Sequence, residues 1–348
     1  MGGGTLNTRD DTMYRNELLL DATYNIFDFG VKRRRVWIAE RDIDVKRMAH
    51  KQSIRDIKLK TLSLYADLLA VLREVETKKQ ILVLYKEVSM VKERLYNSGK
   101  ISKVELIDEA MKVVKAVDEI DTLKLKIKTI SQDISFYTGE CYETEGLILK
   151  DLDEPVTSGP DSFDFEGTTE SRIYALEVKK KQIEIEILRR ERYPHLDLNA
   201  NYARYIDRDN KFSALQDNIR ENFYMGISVA AILFEGFKSH ADIKRANLEF
   251  EKLKIERDRK HAELSARYAK LSRAKQTYTF SIANQKEALE KVTAKLDMLE
   301  ELFGQKLIEW TDLLYQKIEF LNQQLDFTKA IIARVATTKE LELLTDAL

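Results

Sequence analysis

The sequence predicts a mostly α fold with a small β part, in which long coiled-coil helical hairpins are joined to short two-faced strands. Three observations lead there. Long stretches lack glycine and proline, apolar residues recur at steps of three and four, and in three short segments the step falls to two.

The helices come first. No glycine or proline lies between Gly30 and Gly99, between Gly99 and Gly139, from Phe237 to Phe303, or from Gln305 to Leu348. A helix of ~65 residues would be about 100 Å long, which a globular core does not need and a coiled-coil wall does. The apolar spacing agrees. Ile81, Leu84, Val88, Val91 and Leu95 step 3-4-3-4, as do Leu289, Val292, Leu296, Leu299 and Phe303. Ile243, Ala246, Phe250 and Leu253 step 3-4-3. These are seams with a period near 3.5, and an ordinary helical bundle would carry them too.

The strands come next. In 21–26, Ala22, Tyr24 and Ile26 oppose Asp21, Thr23 and Asn25. In 196–202, Leu196, Leu198, Ala200 and Tyr202 oppose Asp197, Asn199 and Asn201. In 223–229, Phe223, Met225, Ile227 and Val229 oppose Tyr224, Gly226 and Ser228. Apolar-out, polar-in strands of this kind suit a water-filled transmembrane barrel; they also suit a half-buried soluble sheet.

The two halves of the chain match at one offset. Ile26-Phe27-Asp28 aligns with Leu233-Phe234-Glu235, and Glu93-Arg94-Leu95-Tyr96 with Glu300-Glu301-Leu302-Phe303, each 207 residues apart (233 − 26, 300 − 93). Without a gap, Ile101 then meets Ile308, Glu105 meets Asp312 and Leu106 meets Leu313. This is the mark of a duplicated unit of strand, long helix, tip and return helix. The expected organisation is a partial first repeat over 1–140, a linker over 141–169 and a second repeat over 170–348. Pro155, Pro160 and the acidic run 151–154 mark the linker as loop-rich.

Composition narrows the function. The chain has 348 residues, 34% of them charged, with a net charge of −1, which gives no pull towards nucleic acid or anionic lipid. Cys141 is alone, so no intrachain disulfide can form. His50, His195, His240 and His261 lack metal-ligand spacing. No apolar run reaches the ~18 residues of a membrane-crossing helix. No secretory signal is recognisable, nothing orients a nucleophile or binds phosphate, and neither a catalytic site nor a cofactor is expected.

Several short motifs resemble the TolC-type outer-membrane efflux proteins. Tyr193-Pro194-His195-Leu196-Asp197-Leu198 is similar to that family's helix-to-strand junction. Ile232-Leu233-Phe234-Glu235-Gly236 resembles its strand exit, and Ile26-Phe27-Asp28-Phe29-Gly30 resembles the first-half copy of that exit. Ala241-Asp242-Ile243-Lys244-Arg245-Ala246 looks like the start of the long periplasmic helix. Arg94 to Ser102 is similar to a helix-hairpin tip.

The resemblance implies a homotrimer whose strands form one shared β-barrel in the outer membrane and whose helices form a shared α-barrel reaching into the periplasm. It implies a passive conduit for efflux or type I secretion. Its partners would be a periplasmic adaptor protein, an inner-membrane transporter of the RND, ABC or MFS type, and outer-membrane lipid. A periplasmic coiled-coil adaptor (membrane fusion) protein is the alternative from another class, though two hairpins related by one offset favour the conduit. Cargo is not legible.

Two departures from the family pattern stand out. At the 207 offset the counterpart of Glu170 to Arg204 falls before residue 1, so a first helix and strand are expected upstream, with Thr5 to Asn16 the remainder of an extracellular loop. Lys306 occupies the place where the second tip usually has glycine.

The resemblance also nominates sites. Asp312 matches one of the aspartates that ring the closed periplasmic aperture, and Tyr315 falls where the next would be; Glu105 and Asp108 hold the first-half positions. Three copies of Asp312 would form a cation-attracting constriction, although a charge on a solvated helix face would look the same. Ser98, Gly99, Lys100, Ile101, Lys306, Leu307 and Ile308 are expected at the adaptor-docking tips. Independently of the family, Arg33, Arg34 and Arg35, Arg189, Arg190 and Arg192, and Lys238 flank the strands at what would be one membrane level. They are candidates for a basic collar facing lipid phosphates; solvated helix ends would also carry them.

Overall fold

The four long stretches free of glycine and proline named above are helical over most of their length. The computed structural model describes residues 13–142, 149–152, 163–209 and 218–345. Its elements run β1 (Met13–Phe27), α1 (Val31–Asn97), α2 (Lys103–Thr138), α3 (Thr169–Arg190), β2 (His195–Asp209), β3 (Asn218–Ala230), α4 (Lys238–Gly304) and α5 (Trp310–Thr345). The fold class is the expected one, mostly α with one small sheet.

The long helices recur at the offset read from the sequence. α1 and α4 each have 67 residues, and both their starts (238 − 31) and their ends (304 − 97) lie 207 apart. α2 and α5 each have 36 residues and keep the same offset (310 − 103, 345 − 138). The left-handed backbone positions follow suit. Phe29 and Gly30 have φ of 54° and 79°; 207 residues on, Gly236 and Phe237 both have 63°. In each copy a carboxylate then caps the helix start. Asp28 accepts from the amides of Gly30 (3.0 Å) and Lys32 (2.8 Å), and Glu235 accepts from that of Ser239 (2.9 Å). Such caps satisfy amides that have no partner within the helix.

The chain divides into two compact units. One comprises Met1–Lys46 and Tyr174–Glu256, the other Arg47–Ile173 and Arg257–Leu348.

The first unit holds the sheet, ordered β1-β2-β3 and antiparallel throughout. The strands are longer than alternation indicated. Residues 13–16, expected in a loop, belong to β1 and pair with 206–209 of β2; residues 5–12 lie outside the described residues. The reason is that backbone pairing, not side-chain pattern, extends the strand. Leu18-Leu19-Leu20 breaks the alternation yet stays in register with Arg204-Ala203-Tyr202.

In the second unit Ile81 and Val88 of the predicted seams are buried, while the packed clusters form on residues those seams did not include. Leu64, Leu68, Val71 and Val75 of α1 interlock with Ile127, Ile130 and Ile134 of α2, all buried. Ala66 and Leu69 pack on Ile332 of α5. Leu264 of α4 and Leu344 of α5 close on Phe165. Each fully buried aliphatic side chain contributes about 1.5–3 kcal/mol. Of the expected linker, 143–148 and 153–162 lie outside the described residues, while 149–152 and 163–168 form neither helix nor strand.

Thr168 caps α3 by accepting from the Ser171 amide at 3.2 Å. This places Glu170 against Arg55 of α1, both almost fully buried. The pair is bidentate. Arg55 Nη1 donates to Glu170 Oε2 at 2.8 Å, and Nη2 to Oε1. Burial alone would raise the Glu170 pKa, but the hydrogen bonds and charge of Arg55 outweigh it and hold the carboxyl below its usual range.

Removing one partner from a buried ion pair leaves the other charge stranded. Glu170→Gln is therefore expected to lower the unfolding free energy by about 3 kcal/mol at neutral pH. The double variant Arg55→Met/Glu170→Leu should fall much closer to wild type. Because the folded carboxyl is the stronger acid, its contribution is full above the unfolded pKa of ~4.3 and fades as pH falls through the folded value. Urea melts at pH 7 and pH 3 should show the Glu170→Gln deficit shrinking in acid.

Candidate functional site

The sheet has two chemically different faces. Register places Ala22, Ala200 and Met225 side by side, then Tyr24, Leu198 and Ile227. Tyr24, Phe223, Met225, Ile227 and Val229 are all exposed. On the opposite face a polar ladder crosses all three strands. Thr23 Oγ1 donates to Asn199 Oδ1 at 3.1 Å, and Asn199 Nδ2 donates to Ser228 Oγ at 2.8 Å. Asn25 Nδ2 donates to Asp197 Oδ1 at 2.7 Å, and Asn201 Nδ2 donates to Asp21. Tyr224 shares the polar face and lies across Gly226, where a Cβ would collide with the Tyr224 ring and hydroxyl. β1 and β3 are the sheet edges, and among the described residues no further strand pairs with either.

One end of the sheet gathers the basic residues of the expected collar, because β1 ends, β2 begins and β3 ends there (Phe27↔Leu196, His195↔Ala230). Three of these cations are tied within the unit. Arg34 Nε meets Glu186 at 2.9 Å, Arg35 meets Glu191 at 2.7 Å, and Arg190 donates to the Phe29 carbonyl at 3.0 Å. Arg33 stands over Trp37, 5.1 Å from the ring centre. The side chains of Arg189, Arg192 and Lys238 have no hydrogen-bond or ion-pair partner among the described residues. Phe29 links two exposed rings, with centroids 4.8 Å from Phe27 and 5.0 Å from Tyr193.

In the second unit, the two tips share one geometry. At the first, the Gly99 amide donates to Tyr96 O (2.8 Å) and the Lys100 amide to Leu95 O (2.9 Å). At the second, the Lys306 amide donates to Phe303 O (2.9 Å) and the Leu307 amide to Leu302 O (3.0 Å). This crossed pair of bonds requires a left-handed residue after the helix. Gly99 has φ 73° and Lys306 has φ 59°. The departure noticed at Lys306 is thus a lysine holding a glycine conformation. Ser98, Gly99, Lys100, Lys306 and Leu307 are exposed, while Ile101 and Ile308 are half-buried. Phe303 and Trp310 close the second tip, 5.0 Å between ring centroids.

The aperture candidates separate into two kinds. Asp312 and Asp108 are exposed. Glu105 is tied to the N-cap of α2, its amide donating to Ser102 Oγ and its carboxylate accepting from that hydroxyl, both at 3.2 Å. Tyr315 is drawn against α2. Lys112 Nζ donates to its hydroxyl at 3.1 Å, lies 4.7 Å from its ring centre and meets Glu109 at 3.0 Å. Burial and Glu109 raise the Tyr315 pKa; burial would lower that of Lys112, but the Tyr315 and Glu109 hydrogen bonds raise it. Sequence reasoning missed Lys112 and Glu109. Their i, i+3 spacing was visible, but their partner stands 203 residues away.

Among the described residues no helix is long and apolar enough to cross a membrane, and no group of three or more His, Cys, Asp or Glu could hold a metal ion. The two-faced sheet with its repeated helical hairpins is a fold that known structures share. Residues 2–140 match the family model for the outer membrane efflux protein.

Solved structures extend the likeness to nearly the whole chain. It is similar to CusC, in a structure concerned with folding and transmembrane channel formation, with a TM-score of 0.79 and 12% identity over 99% of this chain and 80% of that one. It is similar to the outer membrane protein VceC of Vibrio cholerae, with a TM-score of 0.72 and 13% identity over 96% and 87% of the two chains. The CmeC outer membrane channel of Campylobacter jejuni follows at 0.72 and 11%, over 94% and 78%. At such identities the likeness is one of fold. No curated protein sequence matches.

A lysine in the left-handed region costs about 1 kcal/mol relative to glycine. Lys306→Gly is expected to stabilise the protein by about that amount and Gly99→Ala to destabilise it similarly. Paired denaturant melts would check both, since Gly99 has open space around it and its cost is purely conformational.

Proposed function

We propose that the chain is a protomer of a homotrimeric outer-membrane conduit, anchored by its sheet and extended into the periplasm by its helical hairpins. The observation that carries this reading is the sheet. It exposes a broad apolar face, keeps a hydrogen-bonded polar ladder on the other, and has two long edges that no strand among the described residues pairs. In water such edges invite aggregation; in lipid, every backbone group must find a partner, which a closed barrel provides. Symmetric copies joined edge to edge turn the polar ladders inward around a shared lumen.

The role is passive transport in a tripartite efflux or type I secretion system. A periplasmic adaptor protein docks at the two tips, around Gly99 and Lys306, and an inner-membrane transporter of the RND, ABC or MFS type supplies the cargo and the energy. Two repeats joined by the 141–169 linker, each with a hairpin ending in a tip of the same geometry, give the adaptor two equivalent footholds per protomer. Asp312, exposed in the first turn of α5, supplies the acidic ring at the periplasmic aperture.

The test is made on the full-length protein purified in detergent, by mass and by conductance in a planar bilayer. A trimer giving discrete, cation-preferring steps is expected, with Asp312→Asn cutting the cation preference at least severalfold. A monomer or dimer that never inserts would contradict the proposal and bring forward the adaptor reading.

A further inference from the structure

Beside the strand ends lies a cavity of about 620 Å³ that no part of the transport reading uses. Its walls combine Arg189 and Arg192, at and just beyond the end of α3, with the 232–237 segment between β3 and α4. That segment is very exposed: Leu233 retains 95% of its accessible surface, Phe234 78% and Phe237 76%. Phe234 and Phe237 pack edge to face, 5.8 Å between centroids, so the patch is ordered rather than splayed. Concentrated apolar exposure of this kind marks an interaction surface.

The charges at its rim say what kind. The neighbouring cations Arg34, Arg35 and Arg190 each have a partner. Arg189 and Arg192 have none among the described residues, although they line the same cavity as a carboxylate. That carboxylate, Glu235, is occupied capping α4 through the Ser239 amide. Two unpaired guanidiniums next to aromatic and aliphatic side chains complement a ligand with an anionic head and an apolar body. A guanidinium matches phosphate oxygens in a bidentate manner.

We propose that Arg189, Arg192 and the 232–237 segment form a binding site for an anionic phospholipid. The phosphate sits on the two arginines, and an acyl chain lies against Leu233, Phe234 and Phe237. The inference rests on the membrane-anchored reading above and deepens it. The collar is not a uniform ring of charge: Arg34, Arg35 and Arg190 brace the joint between α1 and α3, and Arg189 with Arg192 hold the lipid.

The experiment uses full-length protein reconstituted into vesicles of phosphatidylcholine alone or with phosphatidylglycerol, then released for native mass spectrometry. Retained phosphatidylglycerol should bind Arg189→Gln/Arg192→Gln roughly 30-fold more weakly than wild type, at about tenfold per 1.4 kcal/mol and ~1 kcal/mol per arginine. Leu233→Ser/Phe234→Ser should weaken it as well, while Arg259→Gln, on an exposed face of α4 in the other unit, should leave it unchanged. Circular dichroism melts establish that each variant is folded. Equal retention by the arginine variant and wild type would overturn the proposal. So would displacement of the lipid by inorganic phosphate, which would mean a free-anion site, or a change of oligomeric state without loss of lipid, which would mean a contact between copies. If wild type fails to insert into either vesicle, the membrane reading itself falls, and the lipid site with it.

Discussion

Alternation of side chains through the centre of three paired strands is the constraint on which the molecule depends. Register fixes it. With Thr23, Asn199 and Gly226 in one row and Tyr24, Leu198 and Ile227 in the next, a slip of one residue would exchange the faces. The polar ladder resists such a slip, because Thr23, Asn25, Asn199 and Asp197 find their partners in this register. Among the described residues nothing covers the exposed apolar side chains of this face, and no further strand pairs with either edge. A sheet built this way is complete only in surroundings that cover one face, hydrate the other and pair its margins.

Each transition between strand and helix uses the same device twice. After Phe27 and after Phe234 a carboxylate caps the coming helix and two left-handed residues turn the chain. At the far ends of α1 and α4 a crossed pair of backbone bonds closes each tip. The duplication thus persists in backbone conformation even where the residues differ. Glycine and phenylalanine exchange places between Phe29-Gly30 and Gly236-Phe237, and Lys306 stands for Gly99. Conformation outlasting identity explains why the halves align at their turns and drift apart between them.

Much of this was legible in the sequence, and the limits have physical causes. Breaker-free stretches and 3-4 seams gave the long helices because a coiled coil is specified locally, by period. Ile81 and Val88 of the predicted seam are among the most buried residues. Alternation found the centre of each strand but not its extent, since Leu18-Leu19-Leu20 is held by backbone pairing that leaves no side-chain signature. Arg55 with Glu170, and Lys112 with Tyr315, could not be paired from the sequence. Their separations of 115 and 203 residues are bridged only once the helices take their places. The basic collar was visible as composition. Its division into braced and unpaired arginines required knowing that Glu186, Glu191 and the Phe29 carbonyl take up three of them.

The central claim concerns which face of the sheet meets lipid, and it can be measured directly. With Cys141 replaced by serine, nitroxide labels placed singly at 223–229 in the membrane-reconstituted protein would report accessibility to oxygen and to a water-soluble nickel reagent. Labels at Phe223, Met225, Ile227 and Val229 should favour oxygen, and those at Tyr224, Gly226 and Ser228 should favour the nickel reagent, alternating along the strand. Equal access to the aqueous reagent at all seven positions would contradict a membrane-spanning sheet.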